Sequence, residues 1–206
     1  TLSWQEFRDK SVQAANMFRR LGIGERDVVA YLMPICNEAA LTLIGGSIAG
    51  IANPINPLLE PDQIAAILRE TNAKVLVTLR GFPKTDLAQL AADAVAQAPN
   101  VEAVLEVDLN RYLTPPKSWI VPLIRPKVVV AHSVKVLDFN AELDKQNRML
   151  DFADSAEDRV AAYFHTGGTT GIPKVAQHKY SGIVYNGWLG DRMLFSSTDT
   201  IICPLP

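Results

Sequence analysis

A chain of 206 residues is long enough for one sizeable α/β domain or a large piece of a bigger one. Its 20 basic and 22 acidic side chains leave a formal charge of −2 with no long block of one sign, which gives no electrostatic footprint for nucleic acid. The 48% apolar and 20% charged fractions are those of an ordinary soluble globular protein. Cys36 and Cys203 form no CxxC pair, which argues against a disulfide framework and for a reduced, cytoplasmic compartment.

The first predicted element is a helix opened by a capping box, "SWQE", in which Ser3 and Glu6 can each satisfy an orphan amide. Trp4, Phe7, Ala14, Phe18 and Leu21 fall on one face of it, and Gly22 and Gly24 stop it. "DVVAYLM" (27–33) is short and nearly all apolar, as expected of a strand buried on both faces. Asn37 is the expected cap of the next helix, whose Ala39, Ala40, Gly45, Gly46 and Ala49 leave so little bulk that it can lie close against a sheet.

The rhythm then repeats. "GIANPINP" (50–57) predicts a short strand and a proline-punctuated turn. Pro61 suits the first position of a helix running to about Thr71. A strand over 74–79, an alanine-rich helix over 86–97 and a strand over 101–107 follow. This alternation predicts an α/β fold, a mostly parallel sheet with helices on both faces.

Between 110 and 158 the alternation breaks into a proline-rich excursion with a predicted helix over 141–149. Two readings compete for it. In one, Trp119, Ile120, Leu123 and Ile124 dip into a membrane surface between Arg111, Lys117, Arg125 and Lys127. In the favoured one the prolines deny an amphipathic helix its length, and the apolar side chains pack back on the domain. No apolar run reaches the roughly 20 residues that cross a bilayer, and no basic-then-apolar signal peptide opens the chain.

Regular structure resumes with a buried strand over 159–166 and a helix from about 179–181, and "TIICPLP" (200–206) predicts a last strand. Directly after the first of these strands stands "TGGTTGIPK" (166–174). Such a loop would lie outside the carboxyl end of a parallel sheet, where ligands of open α/β folds bind. Gly167, Gly168 and Gly171 let successive backbone amides face one concavity. Thr166, Thr169 and Thr170 add hydroxyls, Pro173 restrains the backbone, and Lys174 adds a point charge. Polyphosphate is the ligand that uses all of them. The spacing is not that of a Walker A loop, and neither a GxGxxG fingerprint nor a GxSxG elbow occurs. His132, His165 and His178 are scattered without metal-ligand spacing, so no metal site is expected.

"TGGTTGIPK" closely resembles the phosphate-binding signature of the acyl- and aryl-adenylating enzymes, which include the AMP-forming acyl-CoA synthetases. The upstream run "TLSWQEF" to "ANPINP" resembles the opening of the same superfamily. The resemblance implies that Thr166, Gly167, Gly168, Thr169, Thr170 and Gly171 close over the outer phosphates of ATP and that Lys174 helps neutralise them. It implies ATP-dependent activation of a carboxylic acid to an acyl-adenylate with Mg²⁺, then thioester formation with CoA, an acid–thiol ligase activity. An adenylating domain that loads a carrier-protein thiol, and a non-catalytic nucleotide-binding module, are the alternatives.

Two departures stand out: Gly167 replaces the family's usual serine, and the residues after Lys174 are shortened to Val175, Ala176 and Gln177 before His178. On the same resemblance the chain is a single truncated piece of a large N-terminal domain. On that expectation the family's later adenine segment, ribose aspartate and C-terminal lysine, and its C-terminal subdomains, are absent from this piece, which alone is expected to be inactive.

Overall fold

A computed structural model describes residues 1–165, 174–196 and 198–200. α1 (Trp4–Arg20) carries the expected capping box, with both Ser3–Glu6 bonds made, and Gly22 at φ 87° follows its end. Ala14 and Phe18 of the expected stripe are fully buried, but Trp4 is 88% exposed. Trp4 stands in the helix's first turn and meets Phe7 edge-on at 6.2 Å.

β1 (Val28–Leu32), β2 (Ile51–Pro54), β3 (Ala73–Leu79) and β4 (Ala103–Val107) are the apolar runs, almost wholly buried because helices cover both sides. α2 (Asn37–Ala49) joins the first two strands, and α3 (Pro61–Glu70) and α4 (Leu87–Ala96) join the rest. Pro61 occupies the first turn of α3, as expected. Cys36, not Asn37, is the N-cap of α2; its extended backbone ends the preceding segment one residue early, leaving Asn37 inside the helix.

The seven strands run in the order β5-β4-β3-β1-β2-β6-β7. From β1 the chain crosses one way to β2, then back past β1 to β3 and β4, all parallel. Right-handed crossovers in opposite directions put α2 on one face and α3 and α4 on the other. α1 packs on α2. Gly45 makes that approach possible, since a Cβ there would lie 2.5 Å from the Ala14 Cβ.

Both edges of the sheet depart from the sequence reading. β5 (Lys135–Asp138) pairs parallel with β4 inside the excursion, where no strand is expected. α6 (Phe139–Leu143), capped by Asp138, replaces the helix expected over 141–149. Beyond it the chain is held by buried amides of α1: Gln13 donates to Leu143 O and Gln146 O, and Asn16 to Asn147 O and Met149 O. Carbonyls engaged by side chains in this way leave no ladder for a longer helix.

At the other edge β6 (Val160–His165) runs parallel to β2, and β7 (Val175–Lys179), unforeseen, runs antiparallel to β6. α7 (Tyr180–Met193) starts where expected. The strand predicted over 200–206 lies outside the described residues except for Thr200, to which no element is assigned.

The excursion also overturns the favoured expectation for its apolar residues. α5 (Lys117–Ile124), preceded by a 3₁₀ turn at Leu109–Tyr112, buries Val121. Trp119, Ile120, Leu123 and Ile124 are all exposed. They do not pack back on the domain, because polar bonds at the segment's ends tether it, as described below.

Candidate functional site

Because β1, β2 and β6 are parallel, the residues leaving their carboxyl ends converge at one end of the sheet. They line a cavity of about 550 Å³ that includes Tyr31, Cys36, Ala39, Ile55, Phe164 and His165. Its walls are chemically quiet. Burial pushes the Cys36 thiol up to about 11 and the Tyr31 phenol up to about 12, so neither is a nucleophile or base at neutral pH. The cavity is open to solvent on one side, and its mostly apolar wall suits an apolar or aromatic body.

His165, the last residue of β6, and Asn56 are polar groups on this wall. The His165 Nε2 lies 3.0 Å from the buried Asn53 Oδ1. The Asn53 Nδ2 donates to Thr71 Oγ1 at 3.3 Å, and that hydroxyl donates to Ile67 O at 2.8 Å. The chain of donors fixes Asn53 Oδ1 as an acceptor, so Nε2 of His165 carries the proton. Burial holds the imidazole below its usual range and keeps it neutral. Its Nδ1, buried and without a partner among the described residues, is therefore an acceptor immediately before Thr166.

Arg159, just before β6, sets where this strand sits. It donates to Ser47 O, Ile48 O and Gly50 O at 3.0, 2.8 and 2.6 Å, the carbonyls at the end of α2. A cation at a helix C-terminus also meets the negative end of the helix dipole. The Tyr180 ring lies 5.0 Å from the guanidinium, and its hydroxyl donates to Ser47 O. Asp158 accepts from the Ser181 amide and hydroxyl at 2.9 and 2.8 Å, fastening the start of α7. One residue pair thus fixes the entry to β6 and the exit from β7.

Of the predicted site residues, Thr166, Gly167, Gly168, Thr169, Thr170 and Gly171 lie outside the described residues. Lys174 is described, exposed at the entrance to β7 and next to Val175, which pairs with His165. The stretch 166–173 therefore connects two strand ends at the same end of the sheet as the cavity. His178 is exposed, with its ring edge-on to Phe164 at 5.0 Å. Sequence reasoning missed Asn53 and Arg159. For Asn53 the available signal is a lone amide inside an apolar strand, which must find a buried partner.

An apolar cavity with an exposed lysine at the same end of the sheet suits a ligand with an anionic part and a carbon body. Among the described residues no three His, Cys, Asp or Glu side chains are placed to hold a metal ion, and no helix is long and apolar enough to cross a membrane.

The chain is 32% identical over 186 residues to marinolic acid–CoA ligase of Pseudoalteromonas sp. (strain SANK 73390), covering 89% of this chain and 25% of that protein. It is 25% identical over 204 residues to 4-coumarate–CoA ligase 1 of Arabidopsis thaliana, covering 95% of this chain and 32% of that protein. It therefore spans about a quarter to a third of these relatives.

Among solved structures, an acyl-CoA synthetase of Brucella canis superposes with a TM-score of 0.67 at 22% identity, over 96% of this chain and 32% of that one. The anthranilate CoA ligase AuaEII, solved with anthranoyl-AMP, gives 0.65 at 22% identity over 84% and 29%. The mostly parallel sheet is the fold of the N-terminal domain of adenylating enzymes. With sheet and sequence in agreement, the chain belongs to the AMP-binding enzyme family, whose profile matches residues 1–206.

Proposed function

We propose that the complete protein is an AMP-forming acid–thiol ligase that activates a carboxylic acid with ATP and passes the acyl group to CoA. The observation that carries this reading is the placement of "TGGTTGIPK" between β6 and β7. The residues that flank it, His165 and Val175, pair at the carboxyl end of the parallel strands. Chain membership in the AMP-binding family and relatives named as CoA ligases support it.

On this reading Lys174, the hydroxyls of Thr166, Thr169 and Thr170, and the amides around Gly167, Gly168 and Gly171 hold the outer phosphates. The acid's carboxylate oxygen attacks the α-phosphorus, and the bond to the pyrophosphate leaving group breaks. Negative charge accumulates on that leaving group, and the Lys174 ammonium offsets it. Mg²⁺, carried on the nucleotide's phosphates, would supply further neutralisation. In the second step the CoA thiol, its proton passing to solvent, attacks the acyl carbonyl carbon as the thiolate, and AMP departs with the electron pair of the broken carbon–oxygen bond. The chain's contribution is positioning and charge stabilisation, with no covalent nucleophile of its own.

Exchange of labelled pyrophosphate into ATP tests this on the complete protein: exchange should require a carboxylic acid. Acid-independent exchange, or none across a broad acid panel, contradicts the reading. The 206-residue chain by itself is expected to show no turnover.

A further inference from the structure

The excursion after β4 holds its apolar side chains outward while fastening itself by polar bonds. Arg125 Nη2 donates to Asp108 Oδ2 at 2.8 Å, and its Nη1 to Gly81 O at 2.9 Å. Asn110 Nδ2 donates to Ser118 O at 3.1 Å. Gln89 clasps Val129 through both of its backbone groups, at 3.0 and 2.8 Å. Within this tethered segment Trp119 is 69% and Leu123 84% exposed, one helical turn apart, and Ile120 and Ile124, likewise a turn apart, are exposed too. Four large apolar side chains held outward on one short helix by a tethered segment mark an interaction site.

Charge says what it meets. From 110 to 137 the chain carries Arg111, Lys117, Arg125, Lys127 and Lys135 and not one aspartate or glutamate, in a protein whose formal charge is −2. Arg111 and Arg125 are taken up by Glu38 and Asp108. Lys117 and Lys127 are exposed, bracket α5, and have no ion pair among the described residues. A tryptophan with aliphatic neighbours, collared by lysines, is the composition that settles at a bilayer's headgroup level.

α7 offers the contrast. Its Ile183, Val184, Tyr185 and Trp188 are also exposed. Its only charges are Asp191 and Arg192, which favour neither sign of partner.

We propose that α5 and its flanks form a shallow contact with an anionic phospholipid surface. Trp119, Ile120, Leu123 and Ile124 enter the boundary between headgroups and acyl chains, and Lys117 and Lys127 lie among the phosphates. The eight residues of α5 span roughly 12 Å, too short to cross but long enough to lie in the interface. The contact is reversible and salt-dependent, since a single small apolar helix with two cations anchors weakly. The segment leaves the carboxyl end of β4, the same end of the sheet that carries His165 and Lys174.

Co-sedimentation of the full-length protein with phosphatidylcholine vesicles, with and without phosphatidylglycerol, tests the proposal. Binding is expected on the anionic vesicles only and should disappear at high salt. Lys117→Glu with Lys127→Glu should weaken it about tenfold or more. Trp119→Ser with Leu123→Ser should weaken it comparably. The lysine pair is the control for folding, because both side chains are exposed, and thermal melting of each variant checks it directly. Absence of binding to anionic vesicles, equal binding to neutral ones, or binding that survives both double substitutions overturns the proposal. Dimerisation through α5, seen as a doubled mass that Trp119→Ser with Leu123→Ser abolishes while vesicles stay unbound, overturns it as well.

Discussion

The centre of the sheet and its edge at β6 and β7 are held by different forces. β3, β1 and β2 are clamped between helices by apolar packing, and backbone approaches there are so close that a single methyl has no room. β6 and β7 have fewer buried side chains and depend on named polar pins: Arg159 on the end of α2, Asp158 on the start of α7, and His165 on Asn53. Packing tolerates little change but needs no particular partner. A pin depends on one side chain, and the candidate site is suspended from pins.

Substitution at the centre should therefore cost most. A Cβ at Gly50 would lie 2.4 Å from Asp27 O and 2.8 Å from Gly24 O. Because both are backbone atoms that cannot swing aside, Gly50→Ala should destabilise by about 3 kcal/mol. The urea midpoint measures this, and an unchanged midpoint would show that the turn yields freely.

At the edge, Arg159→Met removes three hydrogen bonds to helix-end carbonyls and should cost about 2 kcal/mol. Arg159→Lys keeps the charge but not the planar fork, so it should recover only part of that loss. Full recovery by lysine would mean that charge alone, not the fork, holds the strand.

Glu38 ties the 3₁₀ turn to α2 through Arg111 at 3.1 Å and Tyr112 at 2.6 Å. Glu38→Gln keeps the tyrosine bond and loses the ion pair, whose arginine is half in water. Its cost should be near 1 kcal/mol in the same unfolding assay.

The smallest effect concerns pH. Burial holds His165 below the ordinary histidine value of 6.5. The unfolded chain thus takes up the proton first, and this contribution to stability is present above 6.5 and lost as pH falls below it. His165→Gln should flatten the fall in melting temperature just below that value. Parallel profiles for parent and variant would remove His165 as its source.

The same division explains what could be read from the sequence. The central strands are continuous apolar runs such as 28–32 and 75–79, and burial on both faces leaves that mark. β5 (Lys-Val-Leu-Asp) and β7 (Val-Ala-Gln-His-Lys) are edge strands with water on one side, short and polar, and periodicity cannot separate them from loops. Ser3 and Pro61 were legible because each acts within its own helix turn. Arg159 and Asn53 were not, since their partners lie 109 and 18 residues or more away. The exposed α5 misled for a related reason: apolar composition argued for burial, while its tethers at Arg125 and Gln89 were invisible. The stretch 166–174 could be singled out as a motif because its order of residue types is local, and 166–173 lie outside the described residues.

The direct trial is acid-dependent pyrophosphate exchange by the full-length protein with Lys174 intact and with Lys174→Ala. Loss of a cation that stabilises the leaving group should lower the exchange rate by about 10²-fold. Equal rates in the two proteins would remove Lys174, and the phosphate grip built around it, from the chemistry.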